Sequence, residues 1–404
     1  MIAVPPPPAG AAGGAPVDSI VELTRALVRI PTRAGVDPCG PLFAVLEEWL
    51  RSHGVAVDRL RSGAGETVAI LAGTGERPPR WYVLDATVDT APFGDEAAWT
   101  RDPTGAEIDG GWMYGRGTAD CKVAVAVFAH LLADAARTAP GIPAVGLFDA
   151  DEHTGRFGGL CTYLDDADRR AGTAGVLIGY PGNDRIVVGS RGFLRAVIHV
   201  AGESAHSGSQ RPAVANAVRR AAWLVTELDG VVPPGTAAVD AGFPVPPKLT
   251  VTAVRGGEDF SIVPDRCTVS VDVRLTPRFG PHEAEAHLRE AARRLDAQHA
   301  APRPTAVEVV MARPAYRLPD ASPLPAALRS GAEEAFGRRP PFEVVGPSNV
   351  GNVLAELGIE ATAGFGVTHR NLHAVDEAID VSTIDPVYRS YRSAVEVLGS
   401  TGTR

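Results

Sequence analysis

The segment GWMYGRGTADCK, residues 111–122, places three glycines within seven residues, shortly before an aspartate and an apolar run. Glycine lets the backbone turn tightly and lets other groups approach closely. The apolar run at residues 123–132 predicts a helix, and Asp120 lies at its N-terminal end, where the helix dipole favours negative charge. An ordinary capped turn could have the same sequence, so the meaning of this segment depends on its surroundings.

Polar motifs lie on both sides of this segment. The chain has DATVDTAP at residues 85–92, ADEHTG at 150–155, AHSG at 205–208 and NLHAVDE at 371–377. Short apolar runs that alternate with helical segments predict an α/β fold, with a mixed sheet flanked by helices. Ligands of such sheets bind beyond the carboxyl ends of the strands. Because two of these motifs directly follow predicted strands, we expect them to converge on one cleft.

The composition bounds the class of protein. A chain of 404 residues predicts more than one domain, and 45% hydrophobic with 22% charged residues is typical of a soluble globular protein. The net charge of −9 without a basic block argues against a nucleic-acid partner, and no apolar run is long enough for a membrane span. Residues 1–16 lack the basic region and apolar core of a signal peptide, so we predict a disordered tail on a cytoplasmic protein.

A change of texture near residue 191 predicts a second domain. From there the apolar patterns predict strands and helices in the order β-α-β-β-α-β, which is typical of a ferredoxin-like fold. A Pro-rich stretch at residues 302–304 then returns the chain to the first domain. The predicted organisation is a tail at 1–16, a catalytic α/β domain at 17–190 and 302–404, and an inserted lid and dimerisation domain at 191–301.

The ordered motifs resemble those of the two-zinc exopeptidase family of acetylornithine deacetylase, succinyl-diaminopimelate desuccinylase, aminoacylase and glutamate carboxypeptidase. The resemblance covers roughly residues 19–398. It implies a zinc-exopeptidase type of fold with a ferredoxin-like lid, and a homodimer joined through that lid. It also implies hydrolysis of the amide bond in an N-acyl amino acid or small peptide.

The resemblance assigns roles to residues in the motifs. Asp120 matches the acid that bridges two zinc ions, and Glu152 matches the general base. His373 matches a late histidine ligand within a His-x-x-x-Glu pattern that ends at Glu377. Asp89 matches the acid that orients the histidine ligand of the first metal site.

Two ligands of the first metal site differ from the family pattern. The family has a histidine where this chain has Thr87 and an acid where it has Tyr180. Neither side chain is a usual zinc ligand. Asp85 and Asp184 are nearby acids that could replace them, although neither stands at the motif position.

The second metal site keeps three candidate ligands. The family's Glu-Glu pair is Glu152-His153 here, so Asp120, His153 and His373 offer one carboxylate and two imidazoles. Three protein ligands with an open position are typical of a catalytic zinc site. We therefore expect one zinc ion per chain, with a metal-free protein as the alternative. The competing interpretation of His153 is an ordinary polar residue at a strand end.

Further candidates lie on the substrate side. His206 matches a lid histidine that polarises the scissile carbonyl, and Arg274 matches a lid arginine that binds a substrate carboxylate, for which a planar guanidinium is suited. Asn349 falls in a turn near the substrate in the family, and Tyr180 is a third candidate substrate-binding residue. The predicted partner is a small-molecule substrate that carries a carboxylate.

Two classes of function remain open from the sequence. One is an enzyme, either a one-metal amide hydrolase or a relative that forms or transfers an amide bond. The other is a non-catalytic, small-molecule-binding homologue. Retention of Glu152, Asp120 and His373 favours the enzyme, because a buried cluster of acids without a metal or a catalytic role is costly.

Overall fold

A computed structural model describes residues 16–74, 79–138, 144–211, 214–230, 242–362 and 364–401. All but the last residue of the tail predicted at 1–16 lies outside the described residues. The chain divides into two compact units. The first unit comprises Met1–Val188, Leu318–Glu343 and Asn349–Arg404, and the second comprises Gly189–Arg317 and Val344–Ser348.

Helices and strands are numbered along the chain. The strands within the described residues are β1 (Ala56–Arg61), β2 (Thr67–Gly73), β3 (Trp81–Thr87), β4 (Ile108–Asp109), β5 (Trp112–Tyr114), β6 (Ala144–Asp149), β7 (Thr173–Ile178), β8 (Ile186–Ser190), β9 (Gly192–Ala201), β10 (Ala205–His206), β11 (Lys248–Gly256), β12 (Ile262–Val263), β13 (Arg266–Leu275), β14 (Ala306–Arg313), β15 (Tyr316–Arg317), β16 (Phe342–Val345), β17 (Ala361–Thr362), β18 (His369–Arg370) and β19 (Ala378–Asp380). The α-helices are α1 (Val17–Val28), α2 (Gly40–Ser52), α3 (Val123–Thr138), α4 (Gly158–Leu164), α5 (Ala167–Gly172), α6 (Ala217–Leu228), α7 (Pro281–Gln298), α8 (Pro323–Phe336), α9 (Gly351–Glu356) and α10 (Ile384–Thr401).

The first unit is built on a six-stranded mixed sheet in the order β1-β2-β6-β3-β7-β17. Strand β3 is parallel to β6 and β7, whereas β2 is antiparallel to β1 and β6. Helix α3 lies on one face, where Leu132 approaches Gly146 of β6, and α4 lies on the other, where Gly159 approaches Asp149. Helices on both faces bury the sheet, which confirms the predicted α/β class.

A small antiparallel sheet in the first unit joins two distant parts of the chain. Its order is β18-β19-β5-β4, and Tyr114 of β5 pairs with Ala378 of β19. The glycine-rich segment is therefore held against the C-terminal motif at residues 371–377. This pairing brings Asp120 and His373 within reach of each other.

The second unit contains a four-stranded antiparallel sheet in the order β11-β13-β9-β14. Along β13 every second side chain is buried, as expected for a sheet with one face covered, and these side chains share a core with α6 and α7. The succession β9-α6-β11-β13-α7-β14 is the predicted β-α-β-β-α-β order. Since β14 pairs with β9, the second unit extends past residue 301, which is the predicted end of the lid.

Three shorter features complete the fold. Strands β15, β8 and β16 form a sheet in that order, and β10 pairs with β12. All four cysteines lie in the described residues and are free thiols. Among the helices of the described residues, none is long and apolar enough to cross a membrane.

Candidate metal centre

The glycine-rich segment turns sharply just before Asp120. Gly117 has a φ of +84°, a left-handed conformation that favours glycine, and a Cβ there would lie 2.6 Å from Cγ2 of Thr90. The chain continues through Thr118–Lys122, where Asp120 and Cys121 have non-helical backbone angles, before α3 begins. A side chain at residue 117 would force this turn away from the carboxyl end of β3, so the glycine sets the position of Asp120.

Asp120, His153 and His373 come together in the first unit, and we call these three residues the ligand cluster. Each offers one ligand atom, and the three atoms lie within 4.8 Å of one another. Nε2 of His373 lies 2.8 Å from Oδ2 of Asp120, and Nε2 of His153 lies 3.5 Å from the same oxygen. The structure thus assembles the three ligands predicted for the second metal site.

The two ring nitrogens of His153 face carboxylate oxygens on both sides of the ring. Both are buried and lack a hydrogen-bond partner among the described residues. Nδ1 lies 3.5 Å from Oδ2 of Asp89, on the side opposite Asp120. Burial lowers the pKa of His153, but the carboxylates of Asp120 and Asp89 outweigh that effect and raise it to about 11. The site therefore favours positive charge at this position, supplied either by a proton or by a metal ion.

The donor set fits a metal of the zinc type. One carboxylate and two imidazoles are usual zinc ligands, and a catalytic site leaves one position open. The side chain of His373 is 51% exposed, whereas that of Asp120 is buried, so the cluster is closed on one side and open on the other. Although burial opposes it, His153 and His373 lower the pKa of Asp120, which keeps this carboxylate ionised and able to bind a cation.

Asp89 organises the backbone beside the ligand cluster. Its two carboxylate oxygens accept the backbone N–H groups of Glu152 and His153, at 3.2 and 3.1 Å. Burial acts to raise the pKa of Asp89, but the contacts with His153 and Thr87 have the larger effect and lower it. The carboxylate is therefore ionised. An ionised Asp89 fixes the direction in which Glu152 and His153 leave the end of β6.

Glu152 lies beside the cluster with the properties of a general base. Its Oε2 is 3.4 Å from Nδ1 of His153. Burial raises the pKa of Glu152 to about 7, against the opposing charge of His153. A carboxylate with a pKa close to neutrality can both accept and return a proton at the working pH.

Thr87 and Tyr180, which we call the hydroxyl positions, stand where the family has ligands for a first metal. The Thr87 hydroxyl donates to Oδ1 of Asp89 at 2.5 Å, with the carbonyl oxygen of Asp149 at 3.3 Å. The charge of Asp120, followed by burial, raises the pKa of Tyr180 well above its usual value, so its phenol is neutral. Neither residue offers the anionic oxygen or free imidazole that a second metal ion requires.

The two acids considered as replacement ligands have different surroundings. Asp184 is exposed and pairs with Arg185. Asp85 is buried in β3, and its Oδ1 has no hydrogen-bond partner among the described residues. Burial, then the charge of Glu152, raises the pKa of Asp85 to about 8. Asp85 is therefore a neutral acid near pH 7 and a poor cation ligand.

Sequence reasoning missed Asp149, the last residue of β6. Its side chain is buried, Oδ2 accepts the backbone N–H of Leu160 at 3.1 Å, and Oδ1 has no partner among the described residues. Burial, then the charges of Asp85 and Asp89, raises the pKa of Asp149. The sequence signal that could have identified Asp149 is an acid at the end of an otherwise apolar run. Asp85 and Asp149 are thus two buried acids with raised pKa values on neighbouring strands.

The substrate-side candidates are divided between the units. His206 is exposed on β10 of the second unit, and its Nδ1 accepts the backbone N–H of Gly208. Arg274, on β13 of the same unit, pairs through Nε with Asp272 at 2.8 Å. Asn349 lies in the first unit and accepts the backbone N–H of Gly351 at the start of α9. Their substrate roles stay predictions.

Comparisons with known proteins agree with this geometry. The sequence model of peptidase family M20/M25/M40 matches residues 83–397. A succinyl-diaminopimelate desuccinylase from Cereibacter sphaeroides is 28% identical over 391 residues, which cover 93% of this chain and 97% of that protein. An M20 family metallo-carboxypeptidase from Sulfolobus solfataricus superposes with a TM-score of 0.76 at 17% identity, covering 95% of this chain and 100% of that chain.

A third comparison concerns metal content. A Bacillus subtilis protein described as a dinuclear metal-binding peptidase of the M20 family superposes with a TM-score of 0.66 at 14% identity. The match covers 95% of this chain and 99% of that chain. At these identities the two structural matches show a common fold. The number of metal ions that this chain binds has to be argued from its own residues.

Proposed function

Since the chain belongs to peptidase family M20/M25/M40, we propose that it hydrolyses the amide bond of an N-acyl amino acid or small peptide with one zinc ion per chain. The observation that carries this proposal is the ligand cluster, whose three ligand atoms lie within 4.8 Å of one another. The hydroxyl positions support a single ion, because a second ion would have to bind a neutral phenol and a threonine already bonded to Asp89.

Each residue near the cluster has a distinct task in this proposal. Asp120, His153 and His373 hold the zinc ion, which when bound supplies Lewis-acid chemistry for hydrolysis. Glu152 accepts a proton from the attacking water and returns it to the leaving amine, for which a pKa of about 7 is suited. Asp89 keeps Glu152 in place through its backbone N–H.

The second unit supplies recognition groups. Because Nδ1 of His206 accepts a hydrogen bond from Gly208, a neutral imidazole there carries its proton on Nε2, which can donate to a substrate carbonyl. The Arg274 guanidinium donates to Ser348 and pairs with Asp272, which orients it for a substrate carboxylate. Asn349 and Tyr180 complete the proposed substrate contacts.

The test is metal content together with hydrolysis. Elemental analysis of the purified protein should give about one zinc per chain, and a panel of N-acyl amino acids and dipeptides should release free amine. Removal of the metal with a chelator should stop this release, and added zinc should restore it. Two tightly bound zinc ions per chain would contradict the one-metal proposal.

A second candidate function is formation or transfer of an amide bond, which the hydroxyl positions favour because they weaken the hydrolytic metal site. In that case the protein should be active on a preactivated acyl donor and an amine, with no metal requirement. A chain that binds carboxylate ligands and shows neither activity would instead be a non-catalytic homologue. The same panel, run with and without chelator, separates these outcomes.

We also propose that the protein is a homodimer joined through its second unit, as the resemblance around His206 implies. Light scattering at micromolar concentration should give twice the mass of one chain, and a monomer mass would contradict the dimer. A cytoplasmic location and a substrate that carries a carboxylate stay predictions of the same kind.

A further inference from the structure

We propose that Arg116 and Glu377 are positioning residues that tie the Asp120 segment to the His373 loop and thereby set the metal affinity of the ligand cluster. The inference rests on the one-metal site of the proposed function and deepens it. Neither residue offers an atom to the ligand cluster. Their effect would pass through the two ligands that they hold.

Glu377 holds the segment that carries Asp120. Its Oε1 accepts three backbone N–H groups, from Gly117 at 3.0 Å, Ala119 at 2.9 Å and Asp120 at 3.3 Å. The backbone N–H of Gly115 also donates to the carbonyl oxygen of Glu377. One carboxylate thus organises the backbone of the turn that delivers Asp120 to the cluster.

Arg116 connects that carboxylate to the loop that carries His373. Its Nη1 donates to Oε2 of Glu377 at 2.6 Å, and its Nη2 lies 3.3 Å from the carbonyl oxygen of His373 and 3.1 Å from that of Ala374. Both charged side chains are buried, with 2% exposure for Arg116 and none for Glu377. A planar guanidinium can make these contacts at once, because its N–H donors form a fixed fork.

The His373 loop needs such restraint. Asn371, His373 and Asp376 all have φ values between +55° and +61°, a conformation that costs energy for residues other than glycine. At the far end of the loop, Asp376 accepts hydrogen bonds from the backbone N–H and the hydroxyl of Thr100. These strained residues persist because contacts at both ends of the loop determine its conformation, and the ligating position of His373 depends on those contacts.

The principal experiment is Arg116→Lys. Lysine keeps a positive charge for Glu377 but cannot reach the carboxylate and both carbonyl oxygens together. Zinc affinity, measured by competition with a chromophoric chelator, should fall by about 10- to 100-fold, as is usual when a residue that supports a metal ligand is replaced. The absorption spectrum of the cobalt-substituted variant should also differ from that of the cobalt-substituted wild type, because the position of His373 would change.

The matched control is Arg220→Lys in the second unit. Arg220 is also buried, and it donates to the carbonyl oxygens of Ala201 and His299 and to Asp296. This control should lose stability without a change in zinc affinity. If Arg116→Lys behaves like Arg220→Lys, with an unchanged affinity and cobalt spectrum, the positioning role is overturned.

A second variant tests the same inference if Arg116→Lys does not fold. Thr100→Val removes the hydrogen bond that the exposed Thr100 hydroxyl donates to Asp376 at the far end of the His373 loop, so the protein should fold normally. Zinc affinity should fall by roughly two- to fivefold, the range expected for one hydrogen bond of about 0.5–1 kcal/mol. An unchanged affinity overturns the inference while the proposed function stands. A wild-type chain that takes up no zinc overturns both.

Discussion

The ligand cluster and the hydroxyl positions are neighbours, since Asp89 contacts both His153 and Thr87, yet their polar atoms are in opposite states. In the cluster, the two ring nitrogens of His153 are buried and have no hydrogen-bond partner among the described residues, and Asp120 is held ionised. At the hydroxyl positions, Thr87 is bonded to Asp89 and the Tyr180 phenol is neutral. The first region favours positive charge, from a proton or a metal ion, whereas the second offers neither an anionic oxygen nor a free imidazole to a metal.

In the one-metal proposal, the difference lies in the ligands of the first metal and leaves the scaffold around them in place. Asp89 in the family orients a histidine ligand, and here it instead accepts the Thr87 hydroxyl while still holding the backbone of Glu152 and His153. The structural role of this acid therefore survives the loss of the ligand beside it. Metal content and backbone order are separable properties of the site.

His373→Ala should have the largest effect on the contrast between the two regions. The substitution removes one of three ligands, and two protein ligands do not make a stable zinc site. The zinc content measured by elemental analysis should fall from about one ion per chain to near zero, and hydrolysis should be lost as well. Full retention of zinc would mean that the metal binds elsewhere, which would contradict the assignment of the ligand cluster as the metal site.

Glu152→Gln should separate metal binding from catalysis. Glutamine keeps the size of the side chain but cannot accept the proton, so turnover should fall by about 10²–10⁴-fold. Zinc content should stay near the wild-type value, because Glu152 is not in the ligand cluster. Steady-state kinetics on the best amide substrate, with metal content measured on the same sample, provides the check.

Asp85→Asn should change how stability depends on pH. The folded pKa of Asp85 is about 8, against about 3.9 in an unfolded chain, so the folded state binds the extra proton between those values. Stability of the wild type should therefore fall as pH rises through this window, by at most about 1.4 kcal/mol per pH unit from this group. The neutral asparagine should remove that loss.

Urea unfolding of metal-free protein between pH 5 and pH 8 measures this effect. The stability difference between Asp85→Asn and wild type should grow in favour of the variant as pH rises, while the exposed Glu48→Gln should track the wild type. The charge of Asp85 raises the pKa of Asp149, and the charge of Glu152 raises that of Asp85, so the measured difference includes the changed titration of these neighbours. A pH-independent difference would show that Asp85 is ionised throughout.

Thr87→Ala should have the smallest effect. Its hydroxyl bonds to Asp89 and not to the ligand cluster, so zinc content and affinity should change by less than about twofold. Loss of one buried hydrogen bond should lower the free energy of unfolding by about 1 kcal/mol. Chelator competition and thermal unfolding measure the two quantities, and a large loss of zinc would place Thr87 in the metal site.

Much of this molecule could be predicted from the sequence. Apolar runs located the central strands, because a buried parallel strand requires a continuous apolar segment. The motifs at residues 150–155 and 371–377, with Asp120, identified three ligands that the structure assembles. The first five elements of the β-α-β-β-α-β order in the second unit followed from the apolar patterns, whereas the last strand, β14, was not located.

Other features depended on contacts between distant residues. The extent of the second unit to Arg317 depends on the pairing of β14 with β9, which the Pro-rich stretch at 302–304 did not indicate. The burial of Asp85 and Asp149 on one face of the sheet requires the register between β3 and β6. Likewise, nothing local distinguishes Arg116 from a solvated arginine, because its partners lie more than 250 residues away.

The contacts of Glu377 also determine when the site can exist. Asp120 and His373 are separated by 253 positions along the chain, and Arg116 and Glu377 by 261. Ribosomes deliver the N-terminal part first, so a nascent chain that ends before residue 370 has Asp120 and His153 but neither the third ligand nor the carboxylate that shapes the glycine turn. In the one-zinc proposal, the complete set of three ligands is therefore available only after residues 371–377 have been synthesised.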